Sequence, residues 1–254
     1  MKAGNADWSI WEAPVLTEEE LVQQYTGEII MIDYEMQSLE ARDRLVRKGI
    51  PRENIFVRME ESEANTFYLN YDFMVAGSHE VFVDGGAYLL ENTLEFINWC
   101  KGDFDHVYAF EPDPKNASRC RDILANHKDS KKISLEESCT WSSDTNLSFR
   151  KVESYFSSVS DKGNVMVPAR SIDSVLKGAR ATLIKLDVEG AEMQTLIGAA
   201  NTIRRYRPRL AIAIYHRDED IVDIPLYVQQ LVPDYKFYLR HNSSLLYDTC
   251  LYCI

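Results

Sequence analysis

Short apolar runs alternate with amphipathic stretches along most of this chain, and the alternation is clearest from residue 80 onward. The apolar runs predict strands at 81–84, 107–111, 132–138, 182–187, 209–215, 235–240 and 248–253. Apolar positions at helical spacing predict helices at 91–100, 114–127, 190–205 and 219–231. Strands separated by helices imply an α/β fold, a mostly parallel sheet with helices on both faces. The last two strands break the rule. Only a short loop around Asn242, Ser243 and Ser244 separates them. A parallel crossover needs about a dozen residues or more, so this pair is expected to be an antiparallel hairpin. Residues 147–152 are expected to form an inserted strand outside the count of seven.

The N-terminal part has its own pattern. Residues 18–25 are expected to be helical and 27–33 to form a buried strand. Residues 36–48 have helical periodicity and end at Gly49, a residue suited to closing a helix. Pro51 blocks continuation, and 54–57 is expected to be a second short strand. Residues 1–60 are therefore read as a small βα unit, too small to fold well alone. Residues 61–254 are read as the main domain, entered through an acidic connector at 60–64 and an aromatic stretch at 67–73.

Composition narrows the function classes. The 28 basic and 40 acidic residues give a formal charge of −12, which disfavours nucleic acid as a partner because phosphate contacts need clustered Lys and Arg. Arg204, Arg205 and Arg207 are an exception, and they fit the C-terminal end of a helix, where cations complement the dipole. No apolar run approaches the roughly 20 residues of a membrane span. The opening residues show no signal-peptide core, so a cytoplasmic protein with no membrane partner is expected. Five scattered cysteines, an odd number, suit reduced thiols. Cys250 and Cys253 have the spacing of a metal or redox pair. They lie on an expected strand, however, where residues three apart face opposite ways, so a packing role is expected instead.

The chemistry concentrates at strand ends. Val81-Phe82-Val83-Asp84-Gly85-Gly86-Ala87-Tyr88 runs from a strand into a paired-glycine turn and then a helix. The next strand ends in Glu111-Pro112. Strand, glycine turn, helix, strand and acid make the layout of a nucleoside-binding βαβ unit. Glycine allows a sharp turn and close approach to a ligand. A carboxylate at Glu111 has two oxygens for the two hydroxyls of a ribose. Dinucleotide sites use G-x-G-x-x-G with a pyrophosphate on the helix N-terminus. Here no third glycine follows, and Leu90 and Glu91 stand where phosphate would sit. Asp84 suits a cationic or amine-bearing ligand, which S-adenosylmethionine is. A strand before Gly-Gly is also compatible with a plain tight turn. The antiparallel hairpin adds independent support, because seven strands with an antiparallel last one is the Rossmann-like methyltransferase arrangement.

Further along, Cys139-Thr140-Trp141 lies near the expected adenine edge, where Trp141 stacks on a base or serves the core. Asp187-Val188-Glu189-Gly190-Ala191-Glu192 follows the fourth strand, at the end of an open sheet where ligands bind. Glu189 and Glu192 also suit a helix N-terminus. Lys185 lies inside that strand, and if buried it needs a partner, with Glu189 or Asp187 as the candidates. His216 ends the fifth strand on the same rim. It serves as a base near neutral pH, or joins Asp187 around a divalent metal, or is simply structural.

Several of these blocks resemble the FkbM-type S-adenosylmethionine-dependent methyltransferases. They include Val83 to Tyr88 with Thr93, Ala109-Phe110-Glu111-Pro112-Asp113-Pro114, and Ser171-Ile172-Asp173. Ile184 to Glu192 with Leu196 to Ala199, Pro208 to His216, and Tyr238 to His241 complete the match, which covers residues 66–254. The resemblance implies a class I methyltransferase fold. It implies cofactor contacts from Asp84, Gly85, Gly86, Ala87, Tyr88, Thr93, Glu111, Pro112 and Trp141. It also implies O-methylation of a sugar, glycan or natural-product hydroxyl, with His216 and Asp187 as the catalytic pair. Leu90 departs from the family, which usually has glycine there, and is expected to narrow the pocket. The competing readings are a binding module whose pocket Leu90 has closed and an NAD-dependent oxidoreductase. The N-terminal unit resembles the tail of a nucleotide-binding-like domain that precedes this domain in some bacterial members.

Overall fold

The computed structural model describes residues 17–27, 30–32, 38–57, 68–150, 158–159, 165–241 and 248–254. The chain divides into two compact units, residues 1–64 and 65–254. In the first, α1 (Glu18–Gln24) begins at a capping box in which Thr17 and Glu20 satisfy each other's backbone N–H. Strands β1 (Ile30–Ile32) and β2 (Ile55–Val57) pair in parallel across α2 (Ser38–Arg47). Leu45, Ile50 and Ile55 form the small core of this unit. The expected connector at 60–64, Phe67 and the ends of the 27–33 strand lie outside the described residues.

The second unit is built on a seven-stranded sheet. Its strands are β3 (Glu80–Gly85), β4 (Phe104–Phe110), β5 (Ile133–Glu136), β10 (Leu183–Leu186), β11 (Arg209–Ala213), β12 (Phe237–His241) and β13 (Thr249–Cys253), in the spatial order β12-β13-β11-β10-β3-β4-β5. Only β13 runs antiparallel, against both β11 and β12, as the short connection required. All six residues of β3 are buried, as expected of a central strand covered on both faces. The two faces carry separate cores. Val83, Ile184, Leu186, Ile212 and Cys253 belong to one, while Phe82, Leu183, Ala211, Cys250 and Tyr252 belong to the other. Alternate residues thus face opposite ways. Cys250 and Cys253 accordingly fall on opposite faces, both buried and both free thiols.

Helices α3 (Glu91–Trp99), α4 (Pro114–Ala125) and α8 (Asp220–Leu231) form where expected. The expected helix at 190–205 is two: α6 (Glu192–Gly198) and α7 (Ala200–Tyr206). The break falls at Ala199, next to Gly198, where an added Cβ would lie 2.0 Å from the Trp141 carbonyl oxygen. The strand expected at 147–152 is β7 (Thr145–Arg150), and residues 151 and 152 lie outside the described residues. It is not a lone insertion. With β6 (Cys139–Thr140), β8 (Ser158–Val159) and β9 (Val165–Arg170) it makes a four-stranded sheet ordered β6-β9-β7-β8. Pro168 hides β9 in the sequence, since proline argues against a strand interior. The short α5 (Ile172–Leu176), capped by Ser171, has too few residues to show a period.

Strand order reverses between β3 and β10, so the crevice beyond their carboxyl ends is where an open α/β sheet binds ligands. Among the described residues, no helix is long and apolar enough to cross a membrane.

Candidate active site

The glycine turn after β3 is held from beneath. Lys185, 2% exposed, reaches across from β10 and donates to the Gly86 carbonyl at 2.8 Å and the Gly85 carbonyl at 3.2 Å. Its ion-pair partner is Asp84, with Nζ 3.3 Å from Oδ1, not Glu189 or Asp187 as the sequence suggested. Parallel register sets Lys185 beside Asp84 on the neighbouring strand, which spacing along the chain cannot show. Asp84 is fully buried, and the Thr93 hydroxyl donates to its Oδ2 at 2.8 Å. Burial pulls the Lys185 ammonium down, but the carboxylates of Asp84 and Asp187 more than offset this. The Tyr68 ring packs 5.3 Å from the ammonium.

Gly86 has φ +78°, and a Cβ there would lie 1.9 Å from the Asp187 carbonyl oxygen. Two loops from adjacent strands meet backbone to backbone at this point, and only glycine fits. The turn continues with the buried Ala87, whose N–H donates to the Phe110 carbonyl at 2.9 Å. Tyr88 has φ +49°, and its N–H donates to Glu111 Oε2 at 2.8 Å. Leu90 takes the left-handed conformation at φ +64° and begins α3. Its side chain is fully buried in the apolar cluster that includes Ala87, Phe96 and Ile97. The left-handed backbone explains why glycine is common at this position in the family it resembles.

Glu111 is 5% exposed at the end of β4. Each of its oxygens accepts one backbone N–H, from Tyr88 and from Asp113 at 2.8 Å. Lone pairs therefore remain on both oxygens. Burial raises the carboxyl to about 7, against the two backbone hydrogen bonds. Pro112 is half-buried, and Asp113 caps α4 by accepting from Lys115 and Asn116. Just past β5, Ser138 is buried with no partner for its hydroxyl, a residue that the sequence reading passed over. Trp141 is half-buried against Cys139, Phe149, Val167 and Ala169 of the smaller sheet.

On the other side of the glycine turn, Asp187 follows β10 and His216 lies three residues beyond β11. The structure brings the two together, with His216 Nε2 3.6 Å from Asp187 Oδ1. Glu189 Oε2 is also 3.6 Å from Nε2, and Glu192 Oε1 is 2.8 Å from Nδ1. Tyr68 donates to Asp187 Oδ2 at 2.9 Å, and Tyr215 approaches Oδ1 at 3.4 Å. Nothing in the aromatic stretch singled Tyr68 out. Burial pushes the imidazole down, but the hydrogen bond it donates to Glu192 and the charges of Glu192, Asp187 and Glu189 outweigh it and raise His216 to about 9. Burial raises Glu189 to about 7, against the pull of His216. At neutral pH the ring thus carries a proton unless another cation replaces it.

Residues 84–237, over half of the chain, match the methyltransferase FkbM domain. The chain belongs to the FkbM methyltransferase family. Among solved structures it is similar to a methyltransferase FkbM from Methylobacillus flagellatus KT, with 24% identity and a TM-score of 0.63. That match covers 93% of this chain and 58% of the other, so this chain spans little more than half of that protein. Weaker likenesses include a SAM-dependent O-methyltransferase from Thermotoga maritima, with 9% identity, a TM-score of 0.46, and 76% and 64% of the two chains covered. Another is TrmK from M. capricolum in complex with S-adenosylhomocysteine, with 8% identity, a TM-score of 0.43, and 71% and 63% covered. No curated protein matches the chain.

FkbM membership favours a methyltransferase over a dinucleotide-dependent reading of this chain, and three features of the crevice leave room for a ligand. Glu111 keeps acceptor capacity for ribose hydroxyls, the Ser138 hydroxyl lacks a partner, and the Gly85-Gly86 backbone carries no side chain. Asp84, by contrast, is already committed to Lys185 and Thr93, beneath the turn.

Proposed function

We propose that this FkbM-family chain is an S-adenosylmethionine-dependent methyltransferase that methylates a hydroxyl group of a sugar, glycan or natural-product acceptor. The observation that carries this reading is the placement of two dissimilar halves around one glycine turn. Glu111 and the turn backbone lie on the β3–β4 side, and the Asp187–His216 cluster lies on the β10–β11 side. When bound, S-adenosylmethionine supplies a methyl group on a sulfonium, open to in-line attack.

The chain's own residues then have separable tasks. Gly85, Gly86, Ala87, Tyr88 and Thr93 shape the turn around the methionine end, Glu111 and Pro112 flank the ribose, and Trp141 and Ser138 border the base. A hydroxyl is a poor nucleophile with its proton on, so a cluster that takes the proton as attack proceeds favours an oxygen acceptor. Asp187 and His216 Nε2 are the groups assigned to that task, and with His216 raised to about 9 its proton-accepting form grows as pH rises toward that value. Glu192 fixes the ring by its other nitrogen. The acidic overall charge suits a neutral acceptor better than a nucleic acid.

The reading is tested with the full chain, S-adenosylmethionine and parallel panels of hydroxyl, amine and thiol acceptors, following release of S-adenosylhomocysteine. Turnover confined to hydroxyl acceptors is expected. His216→Ala should lower it by about 10²–10⁴-fold, the range of a general base, with cofactor affinity kept. Transfer to amines or thiols alone, or near-normal turnover by His216→Ala, would contradict the assignment. Cofactor binding without transfer to any panel would favour the binding-module reading.

A further inference from the structure

One nitrogen of His216 is fixed and the other is open. Nδ1 lies 2.8 Å from Glu192 Oε1, and that oxygen also accepts the Val188 N–H at 2.9 Å. Glu192 is fully buried, and its second oxygen has no partner. His216 is nine-tenths buried, and its Nε2 has no hydrogen-bond partner either. Nε2 faces two carboxylate oxygens, Asp187 Oδ1 and Glu189 Oε2, each 3.6 Å away. That distance is too long for a hydrogen bond. It is an ion-pair separation for a protonated ring, and it equally suits two ligands of one ion. Metal bonds of about 2.1 Å to nitrogen and oxygen, opened to about 110–120°, put the two ligand atoms about 3.4–3.6 Å apart.

We propose that His216 and Asp187 form the heart of a site for a divalent cation, with Glu189 beside Nε2 and with Glu192, whose ligand atom lies within 4.8 Å of theirs, as the partner that orients the imidazole. A carboxylate on the distal ring nitrogen is the usual companion of a metal-bound histidine, because it fixes the tautomer and the ring plane. Asp187 is oriented in the same manner, since the Tyr68 hydroxyl donates to Oδ2 at 2.9 Å and the Tyr215 hydroxyl donates to Oδ1 at 3.4 Å. Glu189 turns back toward His216 through a left-handed backbone, φ +55°, followed by Gly190 at +91°. Carboxylates outnumber cations here even with Arg217 acting on Asp220. Asp220, buried with an unpartnered Oδ2, adds a fourth carboxylate to the neighbourhood, while Lys185 is committed to Asp84 and two carbonyls. One imidazole with two carboxylates suits Mn²⁺ or Zn²⁺ better than the all-oxygen sites of Ca²⁺.

The side chains of Asp187 and Glu189 are 28% and 29% exposed, so the site is open on one side. With an ion bound, Nε2 would be a ligand and not the base, and the ion would instead ease loss of the acceptor hydroxyl's proton. This role rests on the methyl-transfer reading, whereas the cation site itself does not.

The test uses full-length protein stripped with chelator and without cofactor. Mn²⁺ is titrated in, free Mn²⁺ is read by electron paramagnetic resonance, and Zn²⁺ and Mg²⁺ serve as competitors. One Mn²⁺ per chain is expected. Asp187→Asn, Glu189→Gln and His216→Ala should each weaken binding at least 10-fold, and Glu192→Gln should weaken it by about 10–100-fold, the usual effect of losing an outer partner. Circular dichroism establishes that each variant is folded. The wild-type titration decides the matter even where a variant fails to fold. Absence of saturable Mn²⁺, Zn²⁺ or Mg²⁺ binding to folded wild type would overturn the site, as would binding indifferent to all the folded variants. A parallel titration with S-adenosylmethionine keeps the two ideas apart, since cofactor binding without metal binding defeats the site and leaves the methyltransferase reading standing.

Discussion

Lys185 Nζ stands 3.3 Å from Asp84 Oδ1, and both side chains are closed off from solvent. The pair joins the two central strands directly beneath the glycine turn, and the same ammonium ties down two turn carbonyls. Removing one partner of a buried pair strands a charge and typically costs about 3–5 kcal/mol. Lys185→Met should therefore lower stability by roughly that amount in urea unfolding. Adding Asp84→Asn should recover part of the loss. A single variant with an unchanged midpoint would show that the pair does not hold the turn.

The two turn glycines should differ in their tolerance of alanine. At Gly86 the new Cβ meets a backbone oxygen at 1.9 Å, and φ is left-handed. The left-handed backbone alone costs roughly 1–2 kcal/mol, and the clash adds to it. At Gly85 the nearest atom is the end of the Leu186 side chain at 2.9 Å, which can move, although the Lys185 carbonyl at 3.2 Å is also close. Thermal unfolding and cofactor titration of both variants should show Gly86→Ala as much the worse. Equal effects would mean the loops separate without cost.

Much of this architecture is legible in the sequence because it rests on local periodicity. The order of the seven strands' chain segments, the antiparallel end, the opposed faces of Cys250 and Cys253 and the glycine turn all follow from spacing alone. What is not legible depends on register between strands. Lys185 meets Asp84 because β10 and β3 align those two positions, 101 residues apart in sequence. Tyr68 reaches Asp187 across 119 residues. The smaller sheet is hidden by two-residue strands and by Pro168, and the α6–α7 break falls beside a contact with Trp141 that lies far off in sequence. Glu192 looked like an ordinary helix-start charge, yet its burial against His216 makes it part of the site.

Leu90 sets two opposed effects against each other. Leu90→Gly relieves a left-handed leucine, worth roughly 1–2 kcal/mol. It also empties a fully buried apolar position, which costs about 2–5 kcal/mol for a leucine truncated to alanine. The cavity term is larger, so net destabilisation by about 1–3 kcal/mol is expected in denaturant unfolding. A variant more stable than wild type would show that the backbone strain dominates. A rise in cofactor affinity in the same variant would support the narrowing of the pocket expected from the sequence.

Glu95 should give the protein a pH-dependent stability. It is buried on α3, Oε1 has no partner, and burial raises it to about 8 against a weak contact from Asn92. Between its ordinary value near 4.5 and about 8, the folded state holds a proton that the unfolded chain has lost. Stability contributed by this group is thus full below the lower value and is lost as pH rises through the upper one. Glu111, raised to about 7, acts in the same direction. Glu95→Gln should remove its share of the slope, making the variant more stable than wild type at pH 9 by about 1–3 kcal/mol, the cost of an unpaired buried polar group. Parallel melting curves for the two proteins from pH 5 to 9 would contradict this.

The central claim is that the crevice beside Glu111 holds S-adenosylmethionine. Isothermal calorimetry of wild type and Glu111→Ala against S-adenosylmethionine, S-adenosylhomocysteine and NAD tests it most directly. Saturable one-to-one binding of the two adenosyl compounds is expected, with no binding of NAD. Glu111→Ala should weaken both by about 1–3 kcal/mol, the scale of hydrogen bonds to a charged group. Preference for NAD, or an unchanged affinity in the variant, would contradict the account.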